Sequence, residues 1–341
     1  MAFPIAIFEN KLKPSRIWSV RKEVMKVTIF SPKSEFSEEW QYKLSSGVGE
    51  VVYTESRDEY PIEKLIKLCK DSEILAFDPD NIGGFEKTPA RLIKLLDAMP
   101  KIKGLALSTT AFGYVDKDYC KKRKIVVTNV PYYSTESVAE HTLGFILGCV
   151  KRLILTDHRT QKRKYRLEMG RELNSLTVGV IGLGHIGTRT AELCKAIGAN
   201  VITWNRTIKR MEHIARKSTV EDLLIKADVI VLHLAENEET KHFLSKERIK
   251  MIKEGAIVIN TADRSLVDEK AMAEALKSGR VDQYCFEAES MKKSPLEGIE
   301  TALLFKGFGW FTKEALEKNK EIWVNNIVGL AKGKPYNPIT L

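Results

Sequence analysis

From Met25 onward, apolar and polar positions alternate in two rhythms. Lys26–Phe30 (KVTIF), Glu50–Tyr53 (EVVY), Glu73–Phe77 (EILAF) and Lys103–Leu107 (KGLAL) are short and rich in apolar or β-branched residues, as buried strands are. Between them, Ile62–Lys70 and Thr88–Ala98 carry apolar residues at helical spacing. Alternation of this kind predicts a parallel sheet with helices on its faces. A second set follows. Ile125–Val130 (IVVTNV) runs into Pro131, and a long apolar helix is predicted from Val138 to about Leu155. Val178–Ile181, Val201–Trp204, Val229–Leu232 and Ala256–Ile259 are then short buried strands, each followed by helix-patterned sequence, and Ala302–Phe305 supplies a last strand. The expected fold class is therefore α/β, with two doubly wound parallel-sheet domains of Rossmann type. Residues 1–24 precede the first strand and carry no readable role.

One turn in the second set carries chemistry. Gly182-Leu-Gly184-His185-Ile186-Gly187 follows the strand VGVI, opens a predicted helix from Gly184 to about Ile197, and leads to the strand VITW. In that context the glycines have distinct tasks. Gly182 allows the tight turn, Gly184 lets backbone approach a pyrophosphate, and Gly187 lets helix and strand pack closely. The helix start adds free N–H groups and partial positive charge. A nicotinamide dinucleotide is the expected ligand. Sites selective for NAD usually end the second strand with Asp or Glu to hold the ribose 2′-hydroxyl. Here Asn205-Arg206-Thr207 stands instead, and Arg206 suits a 2′-phosphate. NADP is modestly favoured over NAD.

Composition narrows the picture only a little. At 341 residues the chain has room for two domains, and its 43% hydrophobic and 29% charged residues are ordinary for a globular protein. No apolar run approaches the roughly 18 residues a membrane span needs, and Met1–Phe8 lacks a cleavage pattern, so neither a membrane partner nor a signal peptide is expected. The five cysteines are scattered, which fits neither a zinc cage nor a disulfide framework and points to a reducing, cytoplasmic setting. No metal is expected. The net charge of +10 includes a dense run at Lys151, Arg152, Arg159, Lys162, Arg163, Lys164, Arg166 and Arg171. Charge alone specifies no partner, and a solvated helix end or an arm onto a second subunit accounts for the run better than nucleic acid does.

Taken together, several stretches resemble the D-isomer-specific 2-hydroxyacid dehydrogenases. They are Thr128–Pro131, Ser134–His141, the glycine turn, Leu232–Leu234 with Glu239-Thr240, Ile259–Ala262 with Val267-Asp268, and Gly333–Pro338. The resemblance runs from about Met25 to Leu341. It implies a substrate domain of residues 1–127 completed by 311–341, with the cofactor domain, 128–310, inserted into it. It also implies a small-molecule substrate between the domains and a homodimer formed through the cofactor domain. His141 is then a packed interface residue. Thr261 and Ala262 join the cofactor set, while Thr110, Ala111 and Phe112 fall where such enzymes hold the substrate carboxylate.

The same resemblance exposes a gap. The family uses an arginine, a histidine and a glutamate to hold the acid, move the proton and orient the base. Asp263 stands where the arginine belongs, and Arg264 follows it. At about 4 Å and an effective dielectric near 20, exchanging a cation for an anion turns attraction into repulsion of roughly 4 kcal/mol. Of six histidines the last is His242, so none is left for the final strand, where Gly307 aligns with the base. The glutamate position falls at Lys292 if Glu287 matches the family's aspartate, with Glu289 and Glu297 nearby. Asp263, Arg264, Lys292 and Tyr284 are the candidates for an altered catalytic set. Asp263 would suit a cationic or amine-bearing substrate better than a carboxylate. Two functions stay open: an NAD(P)-dependent oxidoreductase of altered chemistry acting on something other than an ordinary 2-hydroxy or 2-keto acid, or a catalytically silent cofactor sensor or interaction protein.

Overall fold

The computed structural model describes residues 25–207, 215–288 and 290–341. The reading of residues 1–24 and the position of Glu289 lie outside the described residues. The chain divides into two compact units, one ending at Pro131 and completed by Lys318–Leu341, the other spanning Tyr132–Glu317.

In the first unit, strands β1 (Met25–Pro32), β2 (Gly49–Thr54), β3 (Ile74–Phe77), β4 (Gly104–Leu107) and β5 (Val126–Thr128) form a parallel sheet in the order β2-β1-β3-β4-β5. Helices α1 (Glu38–Gly47), α2 (Ile62–Cys69), α3 (Gly84–Asp97) and α4 (Lys117–Lys122) connect them. Every residue of β3 and β4 is buried, which is why these strands read as unbroken apolar runs.

The second unit opens with α5 (Thr135–Val150) and α6 (Leu153–Gln161). Strands β6 (Thr177–Ile181), β7 (Asn200–Trp204), β8 (Arg216–Lys217), β9 (Val229–Leu232), β10 (Ala256–Asn260), β11 (Val281–Glu287) and β12 (Ala302–Phe305) follow. Helices α7 (His185–Ala196), α8 (Val220–Lys226), α9 (Lys246–Met251) and α10 (Glu269–Ser278) link them. All pairings are parallel, in the order β12-β11-β10-β9-β6-β7-β8, with separate apolar clusters on the sheet's two faces. The chain leaves β6 toward β7 on one side and resumes at β9 on the other. That reversal puts a crevice at the carboxyl end of β6, where α/β sheets bind ligands. Ser, Thr or Asp side chains cap α1, α4, α8, α9 and α10 through backbone N–H groups of the first turn. The last helix, α11 (Lys313–Ala331), lies mostly in the first unit, where its Trp323 is fully buried and donates to the Ala106 carbonyl at 2.9 Å.

The pattern reading and the structure part company in two places. The helix expected from Val138 to Leu155 is two helices: α5 starts earlier, at Thr135, and stops at Val150 because Arg152 takes a left-handed conformation, φ 61°. Its guanidinium there reaches Asp282 at 2.7 Å. Strand β11 was not anticipated, since Asp282 and Gln283 interrupt its apolar run. Gln283 is nevertheless fully buried, its Nε2 donating to the Cys149 carbonyl at 3.1 Å while Oε1 has no hydrogen-bond partner among the described residues, so only the donor half of this core amide is satisfied.

Candidate cofactor and catalytic site

The glycine turn is built as its spacing implies. Gly182 sits at φ 97°, and a Cβ there would lie 2.5 Å from the His233 carbonyl oxygen. A Cβ on Gly187 would lie 1.9 Å from the Gly182 carbonyl oxygen, so α7 can start against β6 only with glycine at 187. Gly184 behaves differently. It is the N-cap of α7, exposed, and a Cβ there would meet nothing within 4 Å. Two glycines thus close the backbone around the turn, and the third leaves it open on the side where α7 offers unpaired N–H groups. That is the shape a pyrophosphate requires.

Supports for the turn come from outside the motif. The Asn205 side chain accepts from Leu183 N at 2.9 Å and donates to Thr207, which ties the end of β7 to the turn. Asn205 is therefore a structural clamp. Arg206 points to solvent and pairs with Glu239, on the loop after β9. His233, not anticipated as a site residue, packs beneath Gly187 and bonds Thr190 Oγ1 through Nε2 at 2.9 Å. Burial drives its pKa down to about 4, so it is a neutral prop. The signal that could have found it was its place directly after a buried strand that pairs with β6. His185, first residue of α7, stacks on Tyr132 with ring centroids 3.7 Å apart, and Ile186 is half-buried beside it.

The loop after β10 carries two of the candidate residues, Asp263 and Arg264. Asn260 is fully buried, donates to the Asp263 carbonyl at 3.1 Å and accepts from Ala262 N at 3.0 Å, which fixes the backbone of Thr261 and Ala262. Thr261 Oγ1 lies 3.1 Å from Thr142 Oγ1 on α5. Asp263 caps the turn by accepting from Ser265 N at 2.8 Å, and the residue is exposed. Arg264 is engaged by its own neighbours. Its guanidinium is bidentate with Glu269, both bonds 2.8 Å, and its remaining arm donates to the Ser290 carbonyl at 2.9 Å. Tyr284 is likewise withdrawn. It lies fully buried in β11, stacked on Phe286 at 4.5 Å, with its hydroxyl bonded to Asn260 at 3.2 Å. Burial pushes its phenol far above the ordinary range, so it has neither access nor acidity for proton transfer. Lys292 sits exposed on the turn beyond β11.

Thr110 and Ala111 are exposed and Phe112 half-buried, all on the loop after β4 in the first unit. Thr110 Oγ1 donates to the Val130 carbonyl at 2.7 Å, and its own carbonyl accepts from Asn129 at 2.8 Å. Four of the eight cations of the basic run are paired. Arg152 pairs with Asp282, Arg159 with Glu168 and Glu300, Arg166 with Glu168, and Arg171 with Asp228. All five cysteines are buried and unpaired. Among the described residues no group of three or more potential ligands could hold a metal ion, and no helix is long and apolar enough to cross a membrane.

Comparison with known proteins follows the same lines. Residues 143–304 match the family described as D-isomer specific 2-hydroxyacid dehydrogenase, NAD binding domain. A glyoxylate reductase of Aeropyrum pernix is 30% identical over 256 residues, 70% of this chain and 76% of that protein. An aromatic 2-oxoacid reductase of Clostridium sporogenes is 32% identical over 251 residues, 66% of this chain and 75% of the relative. Among solved structures, an acyclic imino acid reductase in complex with NADPH and D-Arg superposes with a TM-score of 0.78 at 25% identity, covering 93% of this chain and all of that one. A D-lactate dehydrogenase from Aquifex aeolicus complexed with NAD and lactic acid gives 0.72 at 28% identity, covering 91% and 96%.

Proposed function

The chain belongs to the D-isomer-specific 2-hydroxyacid dehydrogenase family, a family of nicotinamide-dependent oxidoreductases, and from that premise we propose that it reduces an amine-bearing or imine substrate rather than an ordinary 2-keto acid. One observation carries this reading. At the arginine position stands the exposed carboxylate of Asp263, and the neighbouring Arg264 is neutralised by Glu269. A carboxylate there repels an acid and attracts a cation. A protonated C=N group brings its own positive charge, so it needs no arginine to polarise it before it accepts hydride. The structural similarity to an imino acid reductase holding D-Arg supports the same chemistry.

The residues present fit a nicotinamide dinucleotide. Gly182, Gly184, Gly187 and the start of α7 (His185, Ile186) would hold the pyrophosphate, Asn205, Arg206 and Thr207 the adenosine ribose, and Thr261 and Ala262 the nicotinamide side. The bound cofactor supplies the hydride, and the protein orients the acceptor and manages a proton. Arg206, a cation at the end of β7, favours NADP. On the second unit, substrate contacts would come from Asp263 and Lys292. A homodimer through the second unit is supported by Leu153, Tyr165, Leu167 and Met169, large apolar side chains left 61–91% exposed.

The test is direct. NADPH and NADH are titrated by fluorescence. Pyruvate and glyoxylate are then supplied alone or with ammonia or methylamine, and loss of reduced-nicotinamide absorbance is followed. Turnover only with the amine supports the proposal. Equal or better turnover of the keto acids alone overturns it. Tight cofactor binding with no turnover would favour the sensor, a function consistent with an intact cradle and a missing histidine.

A further inference from the structure

The histidine absent from position 307 has a counterpart a few residues away in space. His141, on α5, places Nε2 3.0 Å from Glu287 Oε1, the carboxylate of the last residue of β11. Both side chains are largely buried, 15% and 12% exposed. The approach is close enough for an ion pair but is not aligned as a hydrogen bond, so Nε2 is a buried polar atom without a proper acceptor. Unsatisfied groups of this kind are rare in folded proteins and call for a reason. The same Glu287 oxygen accepts from Phe308 N and Gly309 N, each at 3.3 Å. The loop after β12 is thereby drawn onto the pair.

The surroundings are shaped for the imidazole. A Cβ on Gly309 would lie 2.8 Å from His141 Cδ2, so the ring occupies space only a glycine leaves. The Gly309 carbonyl is held by Ser137 Oγ at 2.5 Å, one turn before His141 on α5. Phe145 and Phe308 wall the ring at 4.2 and 4.7 Å. Thr142, the next residue of α5, touches Thr261. The pair therefore sits at the carboxyl-end edge of the second unit's sheet, beside the loop assigned to the nicotinamide. Among the described residues, His141 is the histidine that lies against a carboxylate.

We propose that Glu287 and His141 form the proton-handling pair of this site, with Glu287 facing the reacting group and His141, 3.0 Å away, positioning it. This rests on the reading of the protein as a hydride-transferring reductase. In the reducing direction the pair gives up one proton while the substrate carbon accepts hydride from the reduced cofactor. The π electrons of the C=N bond become the lone pair on nitrogen that takes the proton, and the pair regains a proton from solvent. An imidazole behind a carboxylate reverses the usual arrangement, in which the carboxylate stands behind.

Two measurements on the full-length protein decide it. With histidine isotopically labelled and His141 assigned by loss of its signal in His141→Gln, saturating NADP⁺ should shift the His141 imidazole resonances. In single-turnover experiments with NADPH and the imine of pyruvate and methylamine, Glu287→Gln should slow hydride transfer roughly 10²-fold or more while NADPH affinity stays within about twofold. Gly309→Ala, which displaces the ring without removing either group, should give an intermediate loss. An unmoved His141 resonance, or Glu287→Gln as fast as wild type, overturns the pair. If wild type reduces neither imine nor keto acid, the reductase reading fails by itself. The resonance shift then still separates a pair that faces the cofactor from one that only packs.

Discussion

The glycine turn between β6 and α7 and the loop after β10 lie on the same sheet edge, yet they are held in opposite ways. The turn is fixed by backbone and by what cannot be present: a Cβ on Gly182 or Gly187 would strike carbonyl oxygens at 2.5 or 1.9 Å. The loop after β10 keeps its backbone through the buried Asn260, while its charges have been redealt, Asp263 facing solvent and Arg264 locked to Glu269. Binding a dinucleotide is a demand on shape, which tolerates little change. Choosing a substrate is a demand on charge, which a few side chains can reverse while the fold stays intact.

The sharpest way to break this comparison is Gly187→Ala. Overpacking against backbone that cannot yield should cost at least about 2–3 kcal/mol and abolish cofactor binding, read by thermal unfolding and NADPH titration. Retained binding would mean that the turn is less constrained than its geometry indicates.

An acid titration will test how a charge acts when it serves only the fold. In the first unit, Glu35 is half-buried against Arg57 and Lys320, with Lys320 Nζ at 2.8 Å. Burial opposes its ionisation, but these two cations outweigh that and hold its carboxyl down to about 2, against an ordinary 4.5. Lys320 is lowered too, by its own burial, so part of the gain is returned. A depressed carboxylate stabilises above its unfolded value and loses that contribution as pH falls from 4.5 toward 2. After discounting for screening we expect about 1–2 kcal/mol, lost over that window in wild type and absent in Glu35→Gln by denaturant titration.

Asp263→Asn sharpens the charge side of the comparison. Removing the carboxylate should raise kcat/KM for glyoxylate about tenfold and lower it for amine-bearing substrates, with NADPH affinity unchanged. If both substrate classes respond alike, Asp263 does not face the substrate. The smallest effect concerns the cofactor's far end. Arg206→Ala should weaken NADPH about fivefold and leave NADH nearly unaffected, since one exposed charge-assisted contact is at stake. Equal loss of both cofactors would remove the basis for preferring NADP.

What could be read in advance was local. Strands buried on both faces appear as short apolar runs, and the phosphate turn is six contiguous residues whose spacing carries its own steric logic. From these alone came two α/β units and the glycine turn with its steric demands. That no histidine follows His242 was also legible, because absence of a residue type from a stretch of sequence needs no coordinates.

What the sequence could not decide depended on partners distant along the chain. Arg264 looked available until Glu269 and the Ser290 carbonyl closed around it. Tyr284 looked like a donor until β11 proved to be an inner strand with the phenol sealed beside Asn260. His233 became a prop because burial holds it neutral, and His141, Glu287 and Gly309 meet only because α5, β11 and the loop after β12 converge. Periodicity reports which face of an element is buried. Protonation, pairing and access are set by the several elements that surround a side chain, so those properties exist only once the chain has folded.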